Sequence, residues 1–466
     1  MDDLALSGYL ARSKDRILAT LVEWLKIPSI SADPAHAGDV RASAEFCAGL
    51  MRDAGLSRVE LLETGAPGAP GAPAVYGEWL GAGSGAPTVL VYGHHDVQPV
   101  DPLDEWASPP FEPSVSGGIL SARGAADDKG QVLMQVEAAR GLLAEQGALP
   151  VNLKMLIEGE EESGSPHFES LLERERERLS ADIVVVSDTT MAAPDLPTTT
   201  LGMRGLVAFD VKLRTAPTDL HSGIWGGTVP NAALVAANMA AALHDEQHRV
   251  AIPGFYDDVK ELSEDEKASL AAVPFDEAGF RNEAGVAYLE GEEGRSPRER
   301  TGTRPTAEIT GIHSGYGGPA MKTIVPATAN FKVAMRLVPD QQTDKIAEAF
   351  RSWAAGQAPA GVELTLTQCG SVAPMVLPSS HPALGTLSRA MRKVWGKEPL
   401  FERSGGSGPE EALARVLGTP VLSLGIALPG DHFHAPNETL SLSQLWRGLL
   451  AAGELLIELA SLEETP

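Results

Sequence analysis

The chain has 466 residues, 43% of them hydrophobic, and 37 Lys and Arg against 63 Asp and Glu, a formal charge of −26. That length predicts two or three compact units, and that apolar fraction suffices to bury their cores, which excludes wholesale disorder. The acidic balance excludes nucleic-acid binding and docking on an anionic membrane, both of which need clustered cations.

From the N-terminus, Met1 to Arg12 carries acids where a secretory signal needs bases, and no segment offers the roughly 18 uninterrupted apolar residues of a membrane span. A cytoplasmic protein is the expectation. Leu10, Ile17, Leu18, Leu21, Val22 and Leu25 recur at helical spacing. Cys47 and Cys369 form no CxxC pair, which excludes a disulfide scaffold and a thiolate zinc finger. GAPGAPGAP at 65–73 reads as a surface connection without packing side chains. Thr88 to Tyr92, Leu153 to Ile157 and Ile183 to Val186 are short apolar runs, and Asp128 to Gln146 between the first two is an amphipathic helix with Val132, Val136, Ala139 and Leu143 on one stripe. Strands alternating with helices predict an α/β domain on a mostly parallel sheet. The run from Glu173 to Arg178 alternates in charge and reads as a solvated helix face.

After about Leu201 the pattern changes. Val207 to Leu213, Phe331 to Val338 and Val362 to Leu366 alternate as strands, and Asn231 to Leu243 and Gln342 to Trp353 are helical. This order predicts a smaller two-layer α+β lid of ferredoxin-like type. Asp245 to Arg304 within it is acidic and loop-like. From about Leu400 the α/β character returns, with a strand at Val421 to Ile426 and a last helix from Leu442. The expected division is 1–201 and 398–466 for an interrupted catalytic domain, and 202–397 for the inserted one.

Chemistry-bearing residues gather at the ends of these elements. Gly93-His94-His95-Asp96 follows the strand Thr88–Tyr92, where ligands bind in α/β sheets. His94 and Asp96 share a side of the extended chain, which suits a metal-binding imidazole and the carboxylate that orients it, while His95 faces the other way. Asp127-Asp128 opens a helix, where an acid caps the helix, binds a cation, or does both. Glu160-Glu161-Glu162 follows another strand end: either a solvated run, or one metal ligand beside one proton carrier. Ser187-Asp188 and the stretch Asp431 to Glu438, with His432 and His434, complete the set. Imidazoles with hard carboxylates suit zinc or manganese, and the inventory is enough for two cations sharing a ligand. The competing motifs fail: Gly81 to Gly85 precedes a strand rather than following one, and neither a GxSxG elbow nor a Walker A sequence occurs.

GHHDVQP at 93–99, RGAADDKG at 123–130, EGEEESGS at 158–165, Ser187-Asp188, DLHSGIWGG at 219–227 and HAPNE at 434–438 stand in an order that resembles one family. It is the dizinc metallopeptidases that include cytosolic dipeptidases, carnosinases, aminoacylases, glutamate carboxypeptidase and succinyl-diaminopimelate desuccinylase. The resemblance runs from about Leu10 to Leu456. It implies His94 and Asp188 on one divalent ion, Glu162 and His434 on the other, Asp127 bridging both, Asp96 as a supporting acid, and Glu161 as general base toward a metal-bridged water. Zinc is the implied metal, with manganese or cobalt as alternatives. Glu160 stands where the family often has an uncharged residue, so three glutamates compete for two roles, and His432 rivals His434.

The resemblance further implies that the inserted domain is a lid that forms a homodimer, with His221 reaching the other subunit's site and stabilising an oxyanion. It implies that Arg336 holds a substrate carboxylate and that Ser404-Gly405-Gly406-Ser407 touches substrate. The bland alternatives are an ordinary loop histidine, an arginine paired with a structural acid, and simple turn chemistry. IPGFYDDV at 252–259 is similar to the dipeptidase branch. The expected function is therefore a metallo-dipeptidase. The alternatives are an N-acyl amino acid amidohydrolase (deacylase or desuccinylase type) with the same centre, and a non-catalytic metal-binding scaffold, for which Glu161 would be superfluous.

Overall fold

The computed structural model describes residues 4–66 and 68–462. The chain divides into two compact units. The first comprises Met1–Leu201, Leu377–Glu402 and Ala412–Pro466; the second comprises Gly202–Val376 and Arg403–Glu411. The first unit thus resumes at Leu377 rather than at the expected 398. The reason is the helix Pro382–Trp395, whose buried Leu384, Leu387, Met391 and Val394 lie at helical spacing and pack toward the helix Leu442–Leu459.

The first unit is built on a six-stranded sheet in the order Arg58–Leu62, Ala74–Trp79, Asn152–Glu158, Thr88–His94, Ile183–Val186 and Val421–Ser423. The last four pair in parallel, and the two at the other edge pair antiparallel. Parallel strands are covered on both faces, so they read as continuous apolar runs: all of Ile183–Val186 is buried. Register sets the site. His94 lies opposite Glu158, and Tyr92 opposite Val186, so the segments after three neighbouring strands emerge at one edge.

The helix Lys129–Gln146 departs from its expected stripe. Every residue from Lys129 to Ala139 is buried, because Ser7–Leu25 and Leu442–Leu459 cover the face turned from the sheet. The expected charged helix breaks at Glu175 into Phe168–Arg174 and Arg176–Leu179, with Leu171, Leu172 and Leu179 inside and Glu173, Arg174, Arg176 and Glu177 exposed. In the 65–73 stretch, Gly65–Ala66 pairs with Ala69–Pro70 as a small hairpin; Pro67 lies outside the described residues. No helix among the described residues is long and apolar enough to cross a membrane.

The second unit is a four-stranded antiparallel sheet in the order Thr306–Ser314, Thr328–Leu337, Gly205–Arg214 and Glu363–Val372. Its core joins Val207, Phe209, Phe331 and Met335 of the sheet to Met239 of Ala232–Ala241 and Phe350 of Thr343–Gln357. This is the expected two-layer architecture with one more strand, Thr306–Ser314. Nor is the 245–304 stretch all loop. It holds the helices Glu264–Ala272 and Glu277–Ala284, the first closed by a reciprocal cap between Ser263 and Glu266. Ser263-x-x-Glu266 is the sequence signal that could have found it.

Candidate metal centre

His94 ends its strand fully buried. Its Nδ1 lies 3.1 Å from the carbonyl oxygen of Asp96, which can only accept, so Nδ1 carries hydrogen and Nε2 is the nitrogen turned to the acids. That Nε2 faces Asp127 Oδ1 at 3.0 Å and Asp188 Oδ2 at 3.7 Å. The other oxygen of Asp127, Oδ2, lies 3.1 Å from His434 Nε2, which is 3.2 Å from Glu162 Oε2. One carboxylate therefore sits between two imidazoles, each with a further acid beside it. The potential ligand atoms of His94, Asp127 and Asp188, of Asp127, Glu162 and His434, and of His94, Glu161 and Glu162 lie within 4.8 Å of one another in each group.

Local structure explains the placement. Asp128 does not cap the helix after it; its Oδ2 accepts instead from the backbone N–H of His94, 3.2 Å away. Gly93 permits this approach, since a Cβ there would sit 2.7 Å from Asp128 Oδ2. Asp96 serves both halves of the cluster. Its Oδ1 lies 3.3 Å from His94 Nδ1, and its Oδ2 accepts from Ser31 Oγ at 2.6 Å and from the Glu162 N–H at 3.0 Å. Gln98 Nε2 donates to Glu162 Oε2 at 2.6 Å.

Of the three glutamates, Glu160 turns away. It accepts from Ala72 N–H at 3.0 Å and lies 3.0 Å from His167 Nδ1, so it anchors the 65–73 hairpin. His432 and His434 are both exposed, but only His434 belongs to a candidate ligand group. His95 is buried with Nε2 2.9 Å from Pro73 O, and burial lowers its pKa to about 4.

The electrostatics are those of a cation site. Asp127, Asp188, Glu161 and Glu162 crowd two imidazoles in a largely buried place, which is costly without compensating positive charge. Burial pushes the Glu161 carboxyl up to about 7; His94 opposes this, and Glu162 and Asp127 add to it. Hydrogen bonds to Asp127 and Glu162 raise the His434 imidazole to about 10. Asp188 is raised by burial and by the adjacent Asp128 and Asp127. Glu162 Oε1 is buried without a hydrogen-bond partner. Such an oxygen, two imidazoles and hard carboxylates fit zinc or manganese.

Glu438 closes the HAPNE motif, but the sequence reading gives it no role of its own. It is fully buried, and its carboxylate accepts from Arg123 Nη1 at 2.9 Å and from the N–H groups of Gly124 at 2.8 Å, Ala126 at 2.9 Å and Asp127 at 3.1 Å. Arg123 also donates to Ala435 O at 3.2 Å. The loop bearing Asp127 and the loop bearing His434 are thereby tied together. No local spacing signals a pair 315 residues apart.

The remaining expected site residues belong to the second unit. His221 is exposed, and its Nδ1 accepts from Gly223 N–H at 3.0 Å. Arg336 projects from Thr328–Leu337 and donates from Nη1 to Ser407 Oγ at 2.9 Å; it makes no salt bridge among the described residues. Ser404 Oγ accepts from Gly406 N–H, and Gly405 O accepts from Arg204 Nε at 3.0 Å.

Residues 90–458 match the family model described as peptidase family M20/M25/M40. A Beta-Ala-His dipeptidase of Homo sapiens is 29% identical over 97% of this chain and 92% of its own length. A Cys-Gly metallodipeptidase of Schizosaccharomyces pombe is also 29% identical, over 97% of each chain. Among solved structures, an M20 family metallo-carboxypeptidase from Sulfolobus solfataricus superposes with a TM-score of 0.83 at 31% identity, covering 96% of this chain and 99% of that one. The dipeptidase Dug1p from Saccharomyces cerevisiae gives 0.81 at 25% identity, covering 99% of each.

Proposed function

We propose that this chain, which belongs to peptidase family M20/M25/M40 and is a metallopeptidase, hydrolyses dipeptides at the cluster around Asp127. The observation that carries the reading is Asp127 with one oxygen toward His94 and the other toward His434. In this reading His94, Asp127 and Asp188 hold one divalent cation and Asp127, Glu162 and His434 a second, with zinc ahead of manganese and cobalt. Bound there, the cations supply Lewis acidity toward water and the peptide carbonyl.

The chain's own groups do the rest. Glu161, grouped with His94 and Glu162 but not needed by either cation in this reading, is free to take a proton and return it. It removes the proton of the attacking water and delivers it to the leaving amine. Asp96 keeps Nε2 of His94 free by fixing its ring, and it orients Glu162. Arg336, aligned by Ser407, receives the substrate's terminal carboxylate, for which a forked guanidinium is suited. His221 comes from the partner subunit of a homodimer and stabilises the oxyanion. The names of relatives matched along 92% and 97% of their own length support a dipeptide substrate.

The test is turnover of a dipeptide panel against N-acetyl amino acids and longer peptides, with added metal. Preferred cleavage of dipeptides is expected. Preference for N-acyl amino acids would favour the amidohydrolase alternative, preference for longer peptides a carboxypeptidase, and no hydrolysis of any class a scaffold.

A further inference from the structure

Arg204 stands immediately ahead of the strand Gly205–Arg214, inside the second unit. Its guanidinium is half-buried and spends its hydrogens on neutral oxygens. Nε donates to Gly405 O at 3.0 Å, and Nη1 reaches Arg300 O at 3.2 Å, Arg304 O at 3.3 Å and Thr306 Oγ1 at 3.4 Å. Its main chain grips the same loop twice more. The Arg204 N–H donates to Gly406 O at 3.0 Å, and the Arg204 carbonyl accepts from Ser407 Oγ at 2.5 Å. Having given its proton to that carbonyl, the Ser407 hydroxyl offers Arg336 a lone pair, and Arg336 Nη1 donates to it. Arg204 and Arg336 are close enough to repel, and both line a cavity of about 670 Å³ within this unit together with Arg300, Arg304, Thr306 and Glu308.

The acidic 245–304 insertion enters at the same joint. Its end packs backbone against backbone on the loop. A Cβ at Gly405 would lie 2.4 Å from Thr301 O, and one at Gly302 would lie 2.4 Å from Arg403 O. Only glycine fits on either side. Glu266 of the insertion helix Glu264–Ala272 accepts from Arg403, fixing the start of the loop.

We propose that Arg204 is the positioning residue for the substrate carboxylate: it locks the end of the insertion to the Ser404–Ser407 loop so that Ser407 holds Arg336 in one orientation. The claim rests on the reading of Arg336 as the carboxylate anchor. It gives the insertion a role, that of buttress for carboxylate recognition rather than an appendage. It also states a specificity: the joint matters for substrates with a free C-terminal carboxylate and not for the same substrates amidated.

The experiment compares a dipeptide with its C-terminal amide on wild type, Arg204→Lys, Ser407→Ala and Gly302→Ala, with thermal melting and metal stoichiometry of each. Lysine keeps the charge but cannot span Gly405, Arg300 and Thr306 at once. In Arg204→Lys, KM for the dipeptide should rise about tenfold, the scale of a misaligned charge-assisted hydrogen bond, with kcat and bound metal close to wild type and kcat/KM for the amide unmoved. Gly302→Ala, which attacks the joint from the insertion side, should move the same ratio in the same direction, and it decides the matter should Arg204→Lys fail to fold. A folded variant that keeps the wild-type preference for acid over amide would overturn the proposal. A wild type without that preference would instead remove Arg336 as the anchor and leave the dipeptidase reading standing on the metal cluster.

Discussion

Glu161 and Glu162 are neighbours in sequence yet are assigned different work, and isosteric amides separate them. Glu161→Gln should retain both metals and lose at least about 10²-fold in turnover, the usual cost of removing a general acid–base group. Glu162→Gln should instead weaken one metal site, read by metal titration. The opposite pattern would exchange the two roles. A pH dependence follows from the same cluster. Without cations, Asp127 and Glu162 keep the His434 imidazole protonated up to about pH 10. A cation must displace that proton, so zinc affinity of the metal-free chain should rise from pH 6 to pH 8. Calorimetry in buffers of different ionisation enthalpy should show proton release; its absence would mean that the imidazoles bind as already neutral ligands. At this scale the sequence was informative wherever the signal was local. His94 and Asp96 two residues apart, and acids directly after an apolar run, can be read from spacing alone. The resemblance put Glu161 and Glu162 to work and left Glu160 without a role; its turn toward Ala72 and His167 is a tertiary contact that spacing does not signal.

Between elements, legibility depended on how far the partner lay in the chain. The parallel strands announced themselves as uninterrupted apolar runs. The burial of Lys129–Ala139 on every side did not, because the helix that covers it begins at Leu442. The Arg123–Glu438 tie was invisible for the same reason, and it makes a prediction about elements rather than residues. Glu438→Gln weakens the acceptor of three backbone N–H groups that shape the Asp127 loop. It should lower affinity at both metal positions together by about 10- to 100-fold, the range for outer-shell partners of metal ligands. Loss of thermal stability with unchanged metal affinity in the folded fraction would reduce Glu438 to an ordinary structural anchor.

At the scale of the molecule, interruption of one unit by another was readable from the switch in strand pattern near Leu201. The point of return at Leu377 was not, because it depends on the helix Pro382–Trp395 finding Leu442–Leu459. The dimer is the claim at this scale. If His221 completes the partner's site, mixing inactive Glu161→Gln subunits with inactive His221→Ala subunits should restore activity, since each heterodimer has one site with both residues intact. Verified heterodimers without activity would place His221 in its own subunit's chemistry or outside the chemistry altogether.

The catalytic reading depends on Asp127 serving two cations at once. The direct measurement is zinc titration of the metal-stripped chain beside Asp127→Asn, with elemental analysis of both. Wild type should take up two ions per chain, and the variant should lose affinity at both positions together, because the one carboxylate that faces both imidazoles has become a weaker ligand. A wild type saturating at a single ion, or a variant that still binds two as tightly, would contradict the bridged centre.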